Sequence, residues 1–251
     1  MKFIKLIFKK LIEILPLGVF FLKMYKEFNI NRAKKFHHKN LFTSYYKTNY
    51  WGCAESFSGS GSTLLDTEVF RTDLCEFLDR RNVRLWLDAP CGDYNWAKYV
   101  KRPKGLKYIG GEIVDTIVSI NNKKYSDKFT RFISLDITHD KLPKADIWLC
   151  RDCLLHFSYD YIFKSILTFL NSEIPLWLVS TYPSCERNRD IAMGDDREVN
   201  LERGPFSFPA PLEYLKDGGP RVIGVWSKES LTAALKENQE WQEWLRKNAN
   251  H

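Results

Sequence analysis

Residues 85–93, Leu-Trp-Leu-Asp-Ala-Pro-Cys-Gly-Asp, constrain the fold more than any other stretch. An apolar run that ends in an acid and a glycine reads as a buried parallel strand entering a tight turn, and Gly92 lets the backbone approach a ligand with no Cβ in the way. A second short apolar strand, Tyr108-Ile-Gly-Gly-Glu-Ile113, ends on an acid about two dozen residues after that turn. In nucleotide-binding α/β sheets an acid at the tip of the second strand accepts hydrogen bonds from ribose hydroxyls, which makes Glu112 a candidate. Domains that hold NAD need further glycines to admit a pyrophosphate. Here Asp93-Tyr94-Asn95 follows Gly92 directly, and those glycines are missing.

The rest of the chain repeats the alternation. Thr63–Leu78 has apolar residues at helical spacing, with Thr63 and Asp66 in a capping arrangement. Strands are expected over 84–88, 108–113, 129–135, 146–149 and 176–180, separated by helices over 96–100, 116–125 and 160–170. This pattern predicts a parallel sheet covered on both faces. A long irregular stretch follows Thr181, of the kind that is functional or mobile in compact domains. Val222–Trp226 then reads as a closing strand and residues 228–247 as one terminal helix.

Asp88-Ala-Pro-Cys-Gly-Asp93, Tyr108-Ile-Gly-Gly-Glu-Ile-Val114 and Cys150-Arg-Asp-Cys-Leu-Leu-His156 together resemble class I S-adenosylmethionine-dependent methyltransferases. Within that class they look like bacterial surface-polysaccharide (capsular sugar) O-methyltransferases. The resemblance covers roughly residues 50–227. It implies an α/β fold with a Rossmann-like, mostly parallel sheet, an antiparallel closing strand and helices on both faces. It also implies S-adenosyl-L-methionine as cofactor, a molecule with no phosphate to admit, and transfer of its methyl to a hydroxyl of a nucleotide-linked or capsular sugar such as a heptose.

Site residues follow from where such a sheet binds ligands, across the carboxyl ends of its strands. Asp88, Ala89, Pro90, Cys91 and Gly92 would hold the methionine half, Glu112 the ribose, and Asp136 with Ile137 the adenine. The donor-rich loop Ser58–Thr63 and Arg71 would take the cofactor carboxylate. A sugar hydroxyl is a poor nucleophile until its proton leaves, so a base is expected within reach. His156 is the first choice because its pKa sits nearest neutrality, and Asp152 the second. Arg151, beside them, would contact the cofactor or an acceptor phosphate. Asn188, Arg189, Arg197 and Asn200 read as an acceptor-recognition surface. Asp136, His139, Asp140 and Asp152 offer oxygen and imidazole ligands that could hold magnesium, but the expectation is a site without metal. Methylation of a small phosphorylated or amine acceptor stays open, as does a non-catalytic cofactor-binding or membrane-docked assembly protein.

Charge bounds the partners. The chain carries a formal +7, but residues 1–39 hold ten Lys and Arg against two Glu, a net +8 that leaves −1 for residues 40–251. A core without net positive charge does not suit phosphate tracking, so no nucleic-acid partner is expected. Residues 2–15 alternate lysines and apolar residues as a basic amphipathic helix, and 1–45 reads as an extension to a catalytic domain over 46–251. That helix would either dock on an anionic membrane surface or pack against the domain or a second subunit as a homodimer. The apolar run 14–22 is too short to span a bilayer. Six scattered cysteines suit a reducing cytoplasm, and Cys150 and Cys153 lack the two further ligands that a structural zinc needs.

Overall fold

The computed structural model describes residues 38–248. Seven strands form one sheet: β1 (Leu85–Asp88), β2 (Lys107–Glu112), β3 (Thr130–Ser134), β4 (Ile147–Cys150), β5 (Leu176–Thr181), β6 (Glu213–Lys216) and β7 (Val222–Ser227), in the order β3-β2-β1-β4-β5-β7-β6. Strands β1 to β5 are parallel, whereas β7 runs antiparallel to both β5 and β6. Around the sheet lie α1 (His38–Lys47), α2 (Glu68–Arg80), α3 (Asp115–Tyr125), α4 (Tyr159–Asn171), α5 (Lys228–Glu237) and α6 (Gln239–Asn248).

Because successive side chains leave a strand on opposite faces, each apolar strand feeds two cores. Trp86, Tyr108, Leu149 and Val225 meet Phe70, Leu74 and Phe77 of α2 on one face. Leu87, Trp148, Trp177 and Trp226 meet Phe163, Ile166 and Phe169 of α4 and Leu231 of α5 on the other. Trp148 and Trp177 stack with centroids 4.8 Å apart and planes 11° apart. Four fully buried tryptophans lie in the sheet. Their burial stabilises it at about 25 cal/mol for each Å² of apolar surface removed from water.

Four expectations change in detail. The helix over 96–100 is a single 3-10 turn, Ala97–Tyr99. The helix anticipated from Thr63 begins at Glu68, and Thr63 instead accepts the Asp66 amide in the turn before it. β6 was not foreseen, since it is a four-residue edge strand that buries only Leu215. The single terminal helix is broken at Asn238. Its Nδ2 donates to the carbonyls of Pro205 and Phe206, and its Oδ1 accepts the Trp241 amide at 2.9 Å, so one side chain ends α5 and caps α6.

The boundary expected at 45/46 falls inside α1, whose Leu41 and Phe42 pack on the main core. The basic segment 2–15 lies outside the described residues, and among these no helix is long and apolar enough to cross a membrane.

Replacing Asn238 by Ala removes a cap and leaves two carbonyls without their donor, a loss of about 1–3 kcal/mol. Urea titration should move the unfolding midpoint down by a corresponding amount with an unchanged slope.

Candidate active site

In the order β3-β2-β1-β4-β5 the chain reverses its winding between β1 and β4, and open α/β sheets bind ligands at that point. A cleft open to solvent lies there, lined by residues from the tips of β1, β2 and β4 and from α1.

The β1 turn forms its floor. Gly92 has φ +55, its amide donates to a Glu112 carboxylate oxygen at 3.1 Å, and its carbonyl accepts Asn121 Nδ2 at 2.9 Å. A Cβ on Gly92 would sit 2.2 Å from Ser58 Oγ. The close neighbour that demands glycine is therefore part of the chain itself. Asp93 seats that strap, accepting the Phe57 amide at 2.8 Å and the hydroxyls of Ser56 and Ser58. Asn95 Nδ2 ties the same strap through Glu55 and the Ser62 carbonyl. Within the loop 58–63 the Ser58 hydroxyl is thus engaged with the turn and Ser62 gives its carbonyl to Asn95, while both residues line the cleft. Arg71 does not line it, and its guanidinium donates to Thr67 Oγ1 on its own helix.

Acids stand at the strand tips as expected. Asp88, the last residue of β1, is buried, and burial raises its pKa to about 7 despite the Tyr108 hydroxyl at 2.6 Å and the charge of Arg151. Glu112, the last residue of β2, is also pushed up by burial, against the amides of Val114 and Gly92 that it accepts. Asp136 behaves differently. Burial works to raise it, but His38 Nε2 at 2.6 Å and both the amide and hydroxyl of Thr138 outweigh that and hold it at about 2. Pro90, Cys91, Gly92 and Ile137 line the cleft, whereas Ala89 is wholly buried behind it and accepts Trp148 Nε1.

The largest correction concerns Arg151. Its side chain is 3% exposed, with Nε and Nη2 each 2.9 Å from an Asp217 oxygen and Nη1 donating to the Gly61 carbonyl at 2.7 Å. Those bonds consume the guanidinium fork, which leaves little for an acceptor phosphate. Arg221 completes the cluster, reaching Asp217, Asp66 and Asp152. Asp152 faces the cleft from a left-handed backbone, φ +52, with its amide held by Ser180 Oγ. Its Oδ2 accepts Arg221 Nη1 at 2.7 Å, while its buried Oδ1 has no hydrogen-bond partner. Burial pushes its carboxyl up against the pull of Arg151 and Arg221.

His156 ends a 3-10 turn, Leu154–His156, and lines the cleft. Its Nδ1 lies 3.0 Å from the Asp195 carbonyl. A carbonyl only accepts, so Nδ1 carries the proton and Nε2 is left as an acceptor. Burial lowers its pKa, against that bond.

The loop read as an acceptor surface has another task. Asn188 bonds Asn200 in both directions along the backbone, and Asn200 Nδ2 reaches the carbonyls of Pro183 and Cys185. Arg197 is buried, lowered to about 10 by desolvation, and donates to the Leu154 carbonyl at 2.6 Å. Gly194 donates its amide to the His156 carbonyl, and Arg197 its own to that of Leu155. Arg197 and Gly194 thus brace the His156 turn, Asn188 and Asn200 tie the loop to itself, and Arg189 is exposed; none of Asn188, Arg189, Arg197 and Asn200 lines the cleft. Among the described residues no His, Cys, Asp and Glu cluster in a metal-binding group.

The sequence reading missed α1 as a cleft wall. His38, Phe42 and Tyr46 line the cleft, spaced four residues apart on one face of the helix. That periodicity was available, but it followed a basic segment and read as part of an extension.

Strand order, the antiparallel β7 and the strand-tip acids define a Rossmann-like class I methyltransferase fold. Solved structures agree. A structure of PigF with SAH superposes with a TM-score of 0.51 at 12% identity, covering 64% of this chain and 55% of that one. The Burkholderia thailandensis 1,6-didemethyltoxoflavin-N1-methyltransferase, with bound 1,6-didemethyltoxoflavin and S-adenosylhomocysteine, superposes with a TM-score of 0.51 at 15% identity, covering 75% of this chain and 86% of that one. This chain thus spans little more than half the length of PigF. No protein-family model matches the sequence, and no curated protein matches it.

Asp136 yields a pH prediction. Its folded pKa of about 2 lies below the ordinary unfolded value of about 3.9, so its carboxylate adds stability above pH 4 that is lost as pH falls toward 2. The difference corresponds to on the order of 2 kcal/mol. Denaturant melts of Asp136→Asn and the parent should differ by that amount at pH 6, by about half of it at pH 3, and converge as the pH falls to about 2.

Proposed function

We propose that the chain is an S-adenosylmethionine-dependent methyltransferase that methylates a hydroxyl of a sugar, nucleotide-linked or within a capsular glycan. One observation carries this reading: Asp88, Asp93, Glu112, Asp136 and Asp152 line the cleft, and the only guanidinium that lines it among the described residues, Arg151, is spent on Asp217 and Gly61. An acidic cleft favours a cationic guest and offers no anchor to a pyrophosphate. The cofactor, when bound, supplies a sulfonium whose methyl is open to in-line attack. Each Glu112 oxygen accepts one amide and so keeps capacity for a ribose hydroxyl. Ile113, Val114, Leu135 and Ile137 form an apolar wall beside Asp136 that suits a flat base.

The chain's own contribution to the chemistry is to position the acceptor and take its proton. His156, neutral at pH 7 and presenting Nε2 as an acceptor, suits a general base for a hydroxyl. The braced turn beneath it fixes the ring, and such positioning is a large part of what an enzyme supplies to a displacement. The same carboxylates would also receive an amine acceptor, and the product, an ether or an N-methyl amine, tells the two apart.

Titration calorimetry with S-adenosylhomocysteine tests the cofactor assignment, and absence of heat from folded protein refutes it. With an acceptor in hand, His156→Ala should lower kcat by about 10²–10⁴ while the S-adenosylhomocysteine Kd stays within about twofold. The acid limb of kcat/KM should fall below the ordinary histidine value, because burial depresses the folded pKa.

A further inference from the structure

The cleft holds more than a cofactor seat and a base require. Beyond the strand tips, α1 and the segment after it contribute an aromatic wall of Phe42, Tyr46, Trp51 and Phe57. Trp51 lies with its ring centroid 5.7 Å from that of His156, and Tyr46 lies 5.2 Å from Phe57. Trp51 is buttressed: the Tyr45 ring meets it edge-on at 5.6 Å, Tyr45 itself stacks on Tyr50, and a Cβ on Gly59 would lie 3.3 Å from Trp51 Cβ. This indole is thus held in place before any ligand arrives.

Opposite chemistry lines the same cleft. Asp152 Oδ1 is a buried carboxylate oxygen without a donor, on a residue held in a left-handed conformation that non-glycine residues rarely adopt. Such strain persists where surrounding structure enforces it, and here Ser180 and Arg221 do so. An aromatic plane near two hydrogen-bond acceptors fits a guest with one apolar face and a hydroxyl-bearing edge. A pyranose ring has that form, its CH face flat and its rim rich in donors. A planar apolar guest would stack equally well but leave Asp152 unpaired, and a site built around hydrogen bonds discriminates strongly against an analogue that lacks them. Phosphate is disfavoured, because among the described residues no lysine lines the cleft and the one arginine that does is closed in by Asp217.

We propose that Trp51, Asp152 and His156 form a carbohydrate subsite that admits an unphosphorylated sugar ring, the indole taking its CH face, Asp152 Oδ1 accepting from one hydroxyl and His156 Nε2 from the hydroxyl to be methylated. The inference rests on the methyltransferase reading and narrows it: any nucleotide or lipid carrier lies outside the cleft, and a sugar whose phosphate must enter the cleft is excluded.

The full-length protein is offered S-adenosylmethionine with methyl glycosides of hexoses and heptoses, and with the same sugars as ring phosphates, while S-adenosylhomocysteine formation is followed. Saturation-transfer NMR with S-adenosylhomocysteine present reads sugar binding independently of turnover. A subset of the neutral glycosides should bind and react, and their phosphorylated forms should do so at least tenfold more weakly. Trp51→Ala should raise the KM for a neutral glycoside tenfold or more and leave the S-adenosylhomocysteine Kd within twofold. Trp51→Phe, which retains an aromatic face, should recover most of that loss. An unchanged KM in Trp51→Ala, a preference for the phosphorylated sugars, or no sugar bound by a protein that binds S-adenosylhomocysteine overturns the subsite. Failure of the parent protein to bind S-adenosylhomocysteine strikes instead at the reading beneath it, and the subsite falls with it.

Discussion

The bidentate pair between Arg151 and Asp217 holds the site together. Two hydrogen bonds of 2.9 Å join the residue just past β4 to the start of the β6–β7 connection, and the same arginine fixes the Gly61 carbonyl. Three stretches remote in sequence thereby meet at one guanidinium. Burying such charges is costly, and the arrangement persists because Arg221 and Asp66 satisfy most of the remaining hydrogen-bonding capacity. Removing one member would strand the others in a medium that does not screen them. Asp152 inherits its position from this cluster, since Arg221 holds one of its oxygens and leaves the other turned away from any partner.

Much of the scaffold was legible because it is written locally. Strands β1, β2, β4 and β5 are short apolar runs buried on both faces, and the acids that end β1 and β2 stand where the parallel sheet brings strand ends together. The roles of arginines were not legible. Arg151 lies 66 residues before Asp217, and Arg197 lies 43 after Leu154, so nothing beside either residue discloses its partner. Polar residues in a long loop look alike whether they bind a ligand or brace a turn. Asn188 and Asn200 are satisfied by backbone groups that become neighbours only after the loop closes on Val199, Leu201, Phe206 and Phe208. Gly92 offers a subtler case. Its positive φ was inferable from the motif, but the nearby atom is Ser58 Oγ of the strap.

Division of labour follows from this geometry. The sheet supplies the acids at its rim, the loop after β5 holds the turn that carries His156, and α1 with its following segment supplies aromatic surface. Support for the histidine and the aromatic wall thus come from different parts of the chain. Substitutions in the wall can reshape what enters without disturbing the ring's anchorage.

Helix α1 carries a mechanical implication. Its first residue, His38, is bonded to Asp136 at the cleft wall, Lys39 reaches Asp115 at the start of α3, and Phe42 packs near Phe157. Thirty-seven residues precede it in the chain. Any displacement of the start of α1 would therefore reach the carboxylate lining the third strand's exit directly, so this end of the helix is also a handle on the pocket.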